Sequence, residues 1–415
     1  MSSMLRADLG ETARDLLTAG AVRARAYRLL EKGLSGRLAH FDVRPKELPT
    51  VAAYVADTIR QNYPTLDVPP HARWRHFVVE GVDRWTQLAR HLNVDRAERA
   101  RIRFDLAVTS VLLDAGAGPR WRWRDPLSGR ELARSEGLAI ASLAAFEAGL
   151  FSGNPRQPMR ADAAGLETLT VGRLAEVFQV RPDNPLEGLE GRVALLQRLG
   201  TSAASNRSSF GADGRIGCLY DDLAREAATR DGEIPAPLIL TTLLEALGPI
   251  WPGRITIDGI ALGDTWEHPA IQVPGPTNGL MPLHKLSQWL AYSLIEPLQE
   301  AGIRVTDLDG LTGLAEYRNG GLFLDLGVLA AQHPDLLRSS LAPSDEPIVE
   351  WRALTVALLD RLAPMVRSRL GVSDSAMPLA SVLEGGTWSA GRRIARERRP
   401  DGSPPINIVS DGSVF

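Results

Sequence analysis

The chain has 415 residues, of which 44% are hydrophobic and 23% charged, a composition typical of a soluble globular protein. A length beyond about 300 residues predicts either one large unit or two closely packed lobes. The 47 basic and 50 acidic side chains give a net charge of −3. This balance excludes the strongly basic surface of a protein that binds duplex nucleic acid or a membrane.

The cysteine content and the N-terminal residues indicate the cellular compartment. Cys218 is the single cysteine, so neither an internal disulfide nor a cysteine-based zinc site is expected. No apolar run reaches the roughly 18 residues of a membrane span. Acidic residues at Asp8, Glu11 and Asp15 distinguish the N-terminus from a signal peptide. We therefore expect a cytoplasmic protein that binds neither a membrane nor nucleic acid.

Most of the sequence shows apolar residues at helical spacing. The segment 11–34 begins with acidic residues and ends with basic ones, as the helix dipole favours. Segments 99–116 and 136–151 are apolar on almost every side, which predicts central helices. The complete set of predicted helices is 11–34, 48–63, 99–116, 136–151, 171–180, 190–200, 236–248, 283–302 and 350–371.

Strand signals are few, and they predict small hairpins. Residues 120–132 alternate in polarity around a Pro/Ser/Gly turn, and residues 253–266 alternate around an Asp-Gly turn. The polar segment 200–216 reads as a loop. The predicted fold is mainly α with one or two small β-hairpins. It forms a single large helical unit, or two packed lobes (1–200 and 217–415) joined by that loop.

Several well-known functional motifs are missing. The sequence contains no GxxxxGK[ST], no GxGxxG after a strand, no GxSxG and no HExxH. Their absence argues against a P-loop, a dinucleotide-binding fold and an α/β-hydrolase nucleophile. The seven histidines include no pair at i, i+4, so a metal site would need ligands from distant segments. We expect neither a metal nor a cofactor.

One polar stripe lies on the predicted helix 283–302. His284, Gln288 and Tyr292 are spaced at i, i+4 and i+8, so they share one helix face. Lys285 sits at the start of this helix, where the helix dipole does not favour a positive charge. The stripe either contributes to a site or forms an ordinary solvated face.

A second polar cluster interrupts the apolar segment 310–329. Glu316, Tyr317 and Arg318 are consecutive, and they either satisfy one another as a structural cluster or face a ligand. Further along, "EGGTWSAGRR" pairs a glycine turn with Trp388 and Arg392. This motif either closes over a substrate phosphate or only starts a helix.

Aromatic residues mark three other candidate positions. Trp121 and Trp123 share one side of the predicted ribbon, where they could wall a pocket or cover the core. His76, within "ARWRHF", presents the same choice. Asp264 and Trp266 lie at the end of the second predicted hairpin, where side chains project into clefts, although aspartate is also an ordinary turn residue.

Taken in order, several of these segments resemble one family. "RWRHF", "GNPRQPMRAD", "MPLHKLSQWLAYSLIEPL", "LTGLAEYRNGGLFLDLGVL", "EGGTWSAGR" and "PPINIVSDGSVF" resemble the uracil-catabolism family of fungi and bacteria, the fourth protein of that pathway. The likeness covers nearly the whole chain. It implies a metabolic context in which the pyrimidine ring is opened on its ribose, leaving ribosylurea or its 5′-phosphate.

A weaker resemblance suggests an architecture. Queuosine-nucleotide hydrolases release a base from a nucleoside 5′-phosphate and have an all-α fold related to helix-hairpin-helix DNA glycosylases. Their tryptophan ribbon, lysine-bearing helix and Asp-Tyr-Arg motif are similar to "WRWRDPLSGREL", "LHKLSQ" and "LTGLAEYR" here. In this sequence Glu316 replaces the aspartate and His284 replaces an aromatic residue. These departures affect the expected base specificity more than the expected fold.

Both resemblances imply cleavage of a ribose–nitrogen bond, and the chemistry of that reaction requires particular groups. An oxocarbenium-like transition state needs a nearby carboxylate, and urea leaves only after protonation. A 5′-phosphate requires a cationic clamp. The expected roles are therefore a carboxylate from Glu316 or Asp264, proton donation by His284, a phosphate clamp of Lys285 and Arg318, hydrogen bonding by Tyr317 and Gln288, and further substrate contacts from Trp121, Trp123, His76, Trp266 and Arg392.

Two other functions remain open. An amidohydrolase would cut the urea carbon–nitrogen bond itself and would need a bound metal. A non-catalytic partner would hold a labile intermediate for neighbouring enzymes of uracil catabolism. The leading prediction is a hydrolase that acts on a nucleoside- or nucleotide-derived small molecule.

Overall fold

The computed structural model describes residues 13–251 and 254–409. The fold is mainly helical, with 55% helix and 9% strand, which confirms the predicted fold class at that level. Among the described residues, no helix combines the length and the apolar character that crossing a membrane requires.

Helices form most of the described chain, and every predicted helix except the first has observed ends within five residues of the predicted ones. The α-helices are α1 Ala19–Leu34, α2 Leu48–Asn62, α3 Arg84–Ala89, α4 Arg96–Leu112, α5 Arg134–Glu147, α6 Ala163–Glu167, α7 Val171–Val177, α8 Leu189–Ser205, α9 Arg207–Phe210, α10 Leu219–Ala228, α11 Ala236–Leu247, α12 Lys285–Glu300, α13 Tyr317–Asp325, α14 Glu346–Leu370, α15 Leu379–Ser381 and α16 Trp388–Arg398. A π-helical segment, Val382–Thr387, joins α15 to α16. Short 3₁₀ helices are Pro45–Glu47, Arg73–Phe77, Ile216–Cys218, Gly248–Ile250, Leu308–Gly310 and Pro334–Leu337.

The strands are short, and those of the described residues form two-stranded pairs. They are β1 Phe41–Val43, β2 Val78–Val79, β3 Val82–Asp83, β4 Trp123–Arg124, β5 Glu131–Leu132, β6 Glu233–Pro235, β7 Thr256–Ile257, β8 Ile260–Ala261, β9 Thr265–Glu267, β10 Leu280–Pro282, β11 Arg304–Thr306, β12 Leu329–Ala331, β13 Ser340–Leu341 and β14 Asn407–Ile408. The pairs are β1–β12, β2–β3, β4–β5, β7–β8 and β9–β10, which are antiparallel, and β6–β11 and β13–β14, which are parallel. Pairs β4–β5 and β7–β8 are the two predicted hairpins, and β7–β8 turns at Asp258-Gly259 as expected.

The chain divides into two compact units. Of the described residues, unit 1 contains 13–71, 254–288 and 307–409, and unit 2 contains 72–251 and 289–306. Each unit is thus assembled from separated ranges, whereas the predicted lobes, 1–200 and 217–415, were contiguous.

The loop predicted at 200–216 is a helix over its first part. Helix α8 continues to Ser205, and α9 follows directly from Arg207. The apolar face of α8 is buried, and Gly200 allows α6 to approach closely, because a Cβ at Gly200 would lie 2.9 Å from the Glu167 nitrogen. Gly200, one of the small residues that suggested a loop, therefore allows two helices to pack closely.

Unit 1 is built around α14. All twelve residues from Ile348 to Leu359 are buried, and α1 and α2 pack on this helix. A helix buried on every side is the core of its unit. Two of the buried residues, Glu350 and Arg352, are charged, and buried charges require partners.

Unit 2 has α4 and α5 at its centre, as their all-round apolar character predicted. Their facing hydroxyls, Ser110 and Ser142, lie 2.5 Å apart. The guanidinium of Arg73, which is fully buried, donates to Ser110 and lies 3.1 Å from a carboxylate oxygen of Asp114. These contacts join the 3₁₀ helix Arg73–Phe77 to the core of the unit.

The first predicted helix, 11–34, is interrupted before Ala19, because residues 13–15 are helical and a turn follows them. Helix α1 starts at Ala19, because the Thr18 side chain accepts a hydrogen bond from the Ala21 N–H at 3.1 Å. A threonine that accepts this bond is a favourable helix N-cap. The acidic residue Asp15 therefore belongs to the short helical segment before α1 and not to the first turn of α1.

The close approach of α16 to α13 generates a stability prediction. A Cβ at Gly391 would lie 2.2 Å from the Arg318 carbonyl oxygen, so Gly391→Ala forces the two helices apart. We expect a loss of about 1–3 kcal/mol in the free energy of unfolding, measured by urea denaturation. Gly20→Ala in α1 is the matched control, since only ordinary contact surrounds that position, and it should stabilise by about 0.5–1 kcal/mol. Equal effects of the two substitutions would contradict the close contact.

Candidate functional site

A buried ion pair between Asp264 and Arg352 connects three segments of unit 1. Arg352, on α14, donates from Nη1 to Oδ1 of Asp264 at 2.9 Å and from Nη2 to Oδ2 at 2.8 Å. Arg352 is 2% exposed and Asp264 is 7% exposed. Two parallel, charge-assisted bonds fix the orientation of the carboxylate. Asp264 thus holds the residues before β9 against the central helix.

Asp264 also organises the start of α12. Its Oδ1 accepts the Trp266 indole N–H at 2.5 Å, and its Oδ2 accepts the Lys285 backbone N–H at 2.9 Å. Burial by itself raises the pKa of Asp264, but Arg352 and these hydrogen bonds outweigh burial and leave the pKa below its usual value. Asp264 is therefore an anion at neutral pH, and each of its oxygens accepts two hydrogen bonds.

Glu316 is a second buried carboxyl group, in a different environment. It caps α13, because Oε1 accepts the Asn319 N–H at 2.5 Å and Oε2 accepts the Arg318 N–H at 2.7 Å. Burial raises the pKa of Glu316, while these N–H groups and the charge of Lys285 partly oppose the rise. Arg352 donates from Nε to the carbonyl of Ala315, the preceding residue, at 3.3 Å. Arg352 and Lys285 thus connect the two carboxyl groups.

The side chains of the predicted Glu316–Tyr317–Arg318 cluster take most of their hydrogen-bond partners from the main chain and not from one another. The Arg318 guanidinium donates to the Gly402 carbonyl at 2.8 Å and lies 5.0 Å from the centre of the Tyr317 ring. Glu316 instead receives backbone N–H groups. The cluster therefore includes a structural helix cap, but its carboxyl group also lies within the field of Lys285.

Helix α16 adds an arginine and a tryptophan beside α13. The Arg392 guanidinium lies 4.7 Å from the centre of the Trp388 ring, an arrangement that favours a cation–π interaction. Gly391 touches the Arg318 carbonyl, so this part of α16 and the start of α13 belong to one packed layer. The structure therefore brings Arg392 to the layer that contains Glu316.

A buried His71–Glu384 pair was missed by sequence reasoning. His71 Nδ1 lies 2.5 Å from Glu384 Oε2, and the His71 ring lies 5.7 Å from that of Trp388. Glu384 belongs to the π-helical segment, and such segments are frequent at functional sites. The only sequence signal is "EGG" before Trp388, which predicts a glycine turn.

His284 and Gln288 are both fully buried and already committed to contacts within unit 1. His284 precedes α12 with a φ of 48°, and its Nε2 lies 2.8 Å from the Leu16 carbonyl. Burial lowers the pKa of His284, so the ring is neutral and donates this nitrogen's proton to Leu16. The Gln288 amide exchanges two hydrogen bonds with Thr312. Neither side chain lies on a solvated face.

Three predicted site residues belong to unit 2. Trp121 and Trp123 donate their indole N–H groups to the carbonyls of Phe178 and Val177, both at 2.9 Å. These bonds anchor the β4–β5 hairpin to the end of α7. The His76 ring meets Trp289 edge-on at 5.7 Å. The other predicted site residues, Asp264, Trp266, His284, Lys285, Gln288, Glu316, Tyr317, Arg318 and Arg392, all belong to unit 1.

The Asp264–Arg352 pair leads to a prediction about stability and pH. Arg352→Met leaves a buried carboxylate without its cation, so we expect the free energy of unfolding to fall by about 3–5 kcal/mol at neutral pH. In the unmodified chain, the pKa of Asp264 is lower in the folded state than in the unfolded state. Asp264 therefore stabilises the fold at pH values above its pKa in the unfolded state. This stabilisation is lost as the pH falls through its pKa in the folded state. In the variant, burial raises the Asp264 pKa, so its stability deficit should shrink on going from about pH 7 to about pH 5.

Urea denaturation at both pH values measures this effect. Arg225→Met is the control, since Arg225 is exposed and its partner Asp222 is only partly buried, so this pair should contribute less than about 1 kcal/mol. A deficit for Arg352→Met that is no larger than that of Arg225→Met would show that the buried pair does not stabilise unit 1.

Comparison with known proteins places the chain in a family. It is 40% identical to Protein urg3 of Schizosaccharomyces pombe over 416 residues, covering 98% of this chain and 99% of the relative. It is also 37% identical to Uracil catabolism protein 4 of Lachancea kluyveri over 407 residues, covering 91% of this chain and 92% of the relative. These matches confirm the resemblance to the uracil-catabolism family. Residues 15–415 match the family described as "Protein of unknown function (DUF1688)", and the chain belongs to that family.

Proposed function

We propose that this protein acts in uracil catabolism as a hydrolase that cleaves the N-ribosidic bond of ribosylurea or its 5′-phosphate. The name of the Lachancea kluyveri relative supports the pathway. The observation that carries the reaction type is the pair of buried carboxyl groups, Asp264 and Glu316, whose pKa values shift in opposite directions. Arg352 contacts both Asp264 and the carbonyl that precedes Glu316, and opposite shifts of two such carboxyl groups favour one as proton donor and the other as anion.

The proposed reaction transfers the ribosyl group from nitrogen to water. The bond between C1 of ribose and the urea nitrogen breaks, its electrons remain on the nitrogen, and a proton neutralises the departing urea. Water then bonds to C1 and releases its proton, giving ribose or ribose 5-phosphate. The transition state resembles an oxocarbenium ion, which a nearby negative charge stabilises.

In this mechanism Glu316 is the proton donor. Its raised pKa keeps a larger fraction of the carboxyl protonated. Each oxygen accepts a single backbone N–H, which leaves a lone pair that can carry the proton to be donated. Asp264 contributes its negative charge and not a nucleophilic oxygen, since Arg352, Trp266 and Lys285 occupy its acceptor positions. His284, our initial candidate, is a poor donor because its single ring proton is bound to Leu16.

Cationic groups of unit 1 suit the remainder of the substrate. Lys285 lies at the N-terminus of α12, where backbone N–H groups and the helix dipole also favour an anion. Arg392 adds a guanidinium of the kind that binds phosphate. We assign these two residues to the 5′-phosphate and Tyr317 to the ribose hydroxyls. The relationship to helix-hairpin-helix glycosylases remains our prediction for the architecture.

Glu316→Gln tests the proposed proton donor. The variant cannot protonate urea, so we expect kcat for ribosylurea to fall by about 10²- to 10⁴-fold. A 4-nitrophenyl riboside has a leaving group that needs no protonation, so its hydrolysis should fall by less than about tenfold. Product release is measured for both substrates with the same enzyme preparation.

A matched control separates catalysis from helix capping. Asp95→Asn alters another carboxylate N-cap, which accepts the Glu98 N–H at 2.7 Å at the start of α4. It should keep kcat within about twofold while showing a capping loss of roughly 1 kcal/mol or less. Equal losses of Glu316→Gln on both substrates would remove Glu316 from the acid role.

Lys285→Gln tests the anion site and its influence on Glu316. We expect KM for the 5′-phosphate to rise by at least about tenfold, with a much smaller change for ribosylurea. Because the charge of Lys285 lowers the Glu316 pKa, the alkaline decline of kcat should also move to higher pH in the variant. An unchanged preference between the two substrates, measured by initial rates across pH, would place the phosphate elsewhere.

A further inference from the structure

Glu350, another buried charged residue of α14, lies two residues before Arg352 and is 0% exposed. Its Oε1 accepts the backbone N–H groups of His40 at 3.2 Å and Phe41 at 2.9 Å, where β1 begins. One oxygen of this carboxylate is therefore fixed by the main chain. The position of the other oxygen, Oε2, is determined by the same constraint.

Glu350 Oε2 faces a buried histidine without forming a hydrogen bond. His268 Nε2 lies 3.4 Å away, and among the described residues neither atom has a hydrogen-bond partner. His268 is 1% exposed, and its Nδ1 accepts the Ala270 N–H at 3.2 Å, so the proton of the neutral ring is on Nε2. Buried polar atoms without partners are rare in native proteins, so this arrangement requires an explanation.

Two further side chains of types that can bind metal ions, Glu346 and His40, lie close to Glu350. Glu346 is one helical turn before Glu350, so both carboxylates lie on one face of α14. Glu346 Oε1 lies 3.1 Å from His40 Nε2. One ligand atom from each of His40, Glu346 and Glu350 lies within 4.8 Å of the others. His40 and Glu346 are partly exposed, so an ion can enter from solvent.

We propose that His40, Glu346 and Glu350 bind a divalent transition-metal ion such as Zn²⁺ or Mn²⁺. One imidazole and two carboxylates are ligands for which these ions compete well, and three protein ligands leave a position for water. Metal–ligand bonds of about 2.0–2.2 Å require donor atoms roughly 3–4 Å apart. The His40–Glu346 distance already meets this requirement, and the Glu346 side chain, 39% exposed, can rotate to complete the set.

The surrounding residues suit this assignment. His268 would donate its Nε2 proton to the Glu350 carboxylate from behind, as outer partners of metal-binding groups commonly do. The ion would link His40, which precedes β1, to α14. Binding of the ion does not depend on the proposed hydrolase reaction. Without the ion, His40 Nε2 lies within hydrogen-bonding distance of Glu346 Oε1.

Metal titration of the full chain tests the site. The protein is treated with chelator, and ZnCl₂ or MnCl₂ is added while heat of binding and thermal unfolding are followed. We expect one equivalent to bind in the micromolar range or tighter and to raise Tm in proportion to the logarithm of metal concentration. Glu346→Gln and His40→Asn should each weaken binding by at least about tenfold.

Controls make a negative result informative. His333→Asn removes an exposed histidine of the same unit and should leave binding unchanged. The Tm of each metal-free variant shows whether it is folded, and the two ligand variants provide independent tests. Absence of stoichiometric binding, or equal affinity of the unmodified chain and both ligand variants, would overturn the proposal and identify the cluster as a metal-free structural network.

Discussion

The bidentate pair between Asp264 and Arg352 is the interaction on which the candidate site depends. Arg352 lies in the part of α14 that is buried on every side, where its charge requires a partner. Asp264 provides that partner and also binds Trp266 and the first N–H of α12. Arg352 reaches the carbonyl before Glu316 as well. One ion pair thus determines where the N-terminal ends of two helices lie.

This arrangement explains how two carboxyl groups in one unit acquire different properties. Asp264 receives a guanidinium and two N–H groups, so its negative charge is stabilised despite burial. Glu316 receives two backbone N–H groups and only the more distant charges of Lys285 and Arg318, so burial dominates. The difference follows from their positions, since Asp264 faces the central helix and Glu316 caps α13. It is the basis for proposing an acid and an anion at one site.

The sequence was most informative where the signal is local. Helical periodicity located α2, α4, α5, α11 and α12, and the Asp-Gly turn located the β7–β8 hairpin. The loop predicted at 200–216 was wrong over its first part. Glycine is typical of loops, but Gly200 permits a close contact between two helices. Polar clusters in the sequence marked Asp264 and Glu316 as candidates, whereas Arg352, His71 and Glu384 carried no such signal. Their partners come from remote parts of the chain, and periodicity carries no information about such pairing.

The proposed hydrolase breaks the bond between C1 of ribose and the urea nitrogen, and leaves the carbon–nitrogen bonds of the ureido group intact. Chelator-treated protein incubated with substrate carrying ¹³C in the ureido carbonyl, with products followed by ¹³C NMR, tests this claim most directly. We predict intact [¹³C]urea together with an equal amount of ribose or ribose 5-phosphate. Labelled carbamate or bicarbonate with free ammonia would contradict the claim and indicate an amidohydrolase. Tight binding without any product would contradict it in favour of a non-catalytic partner.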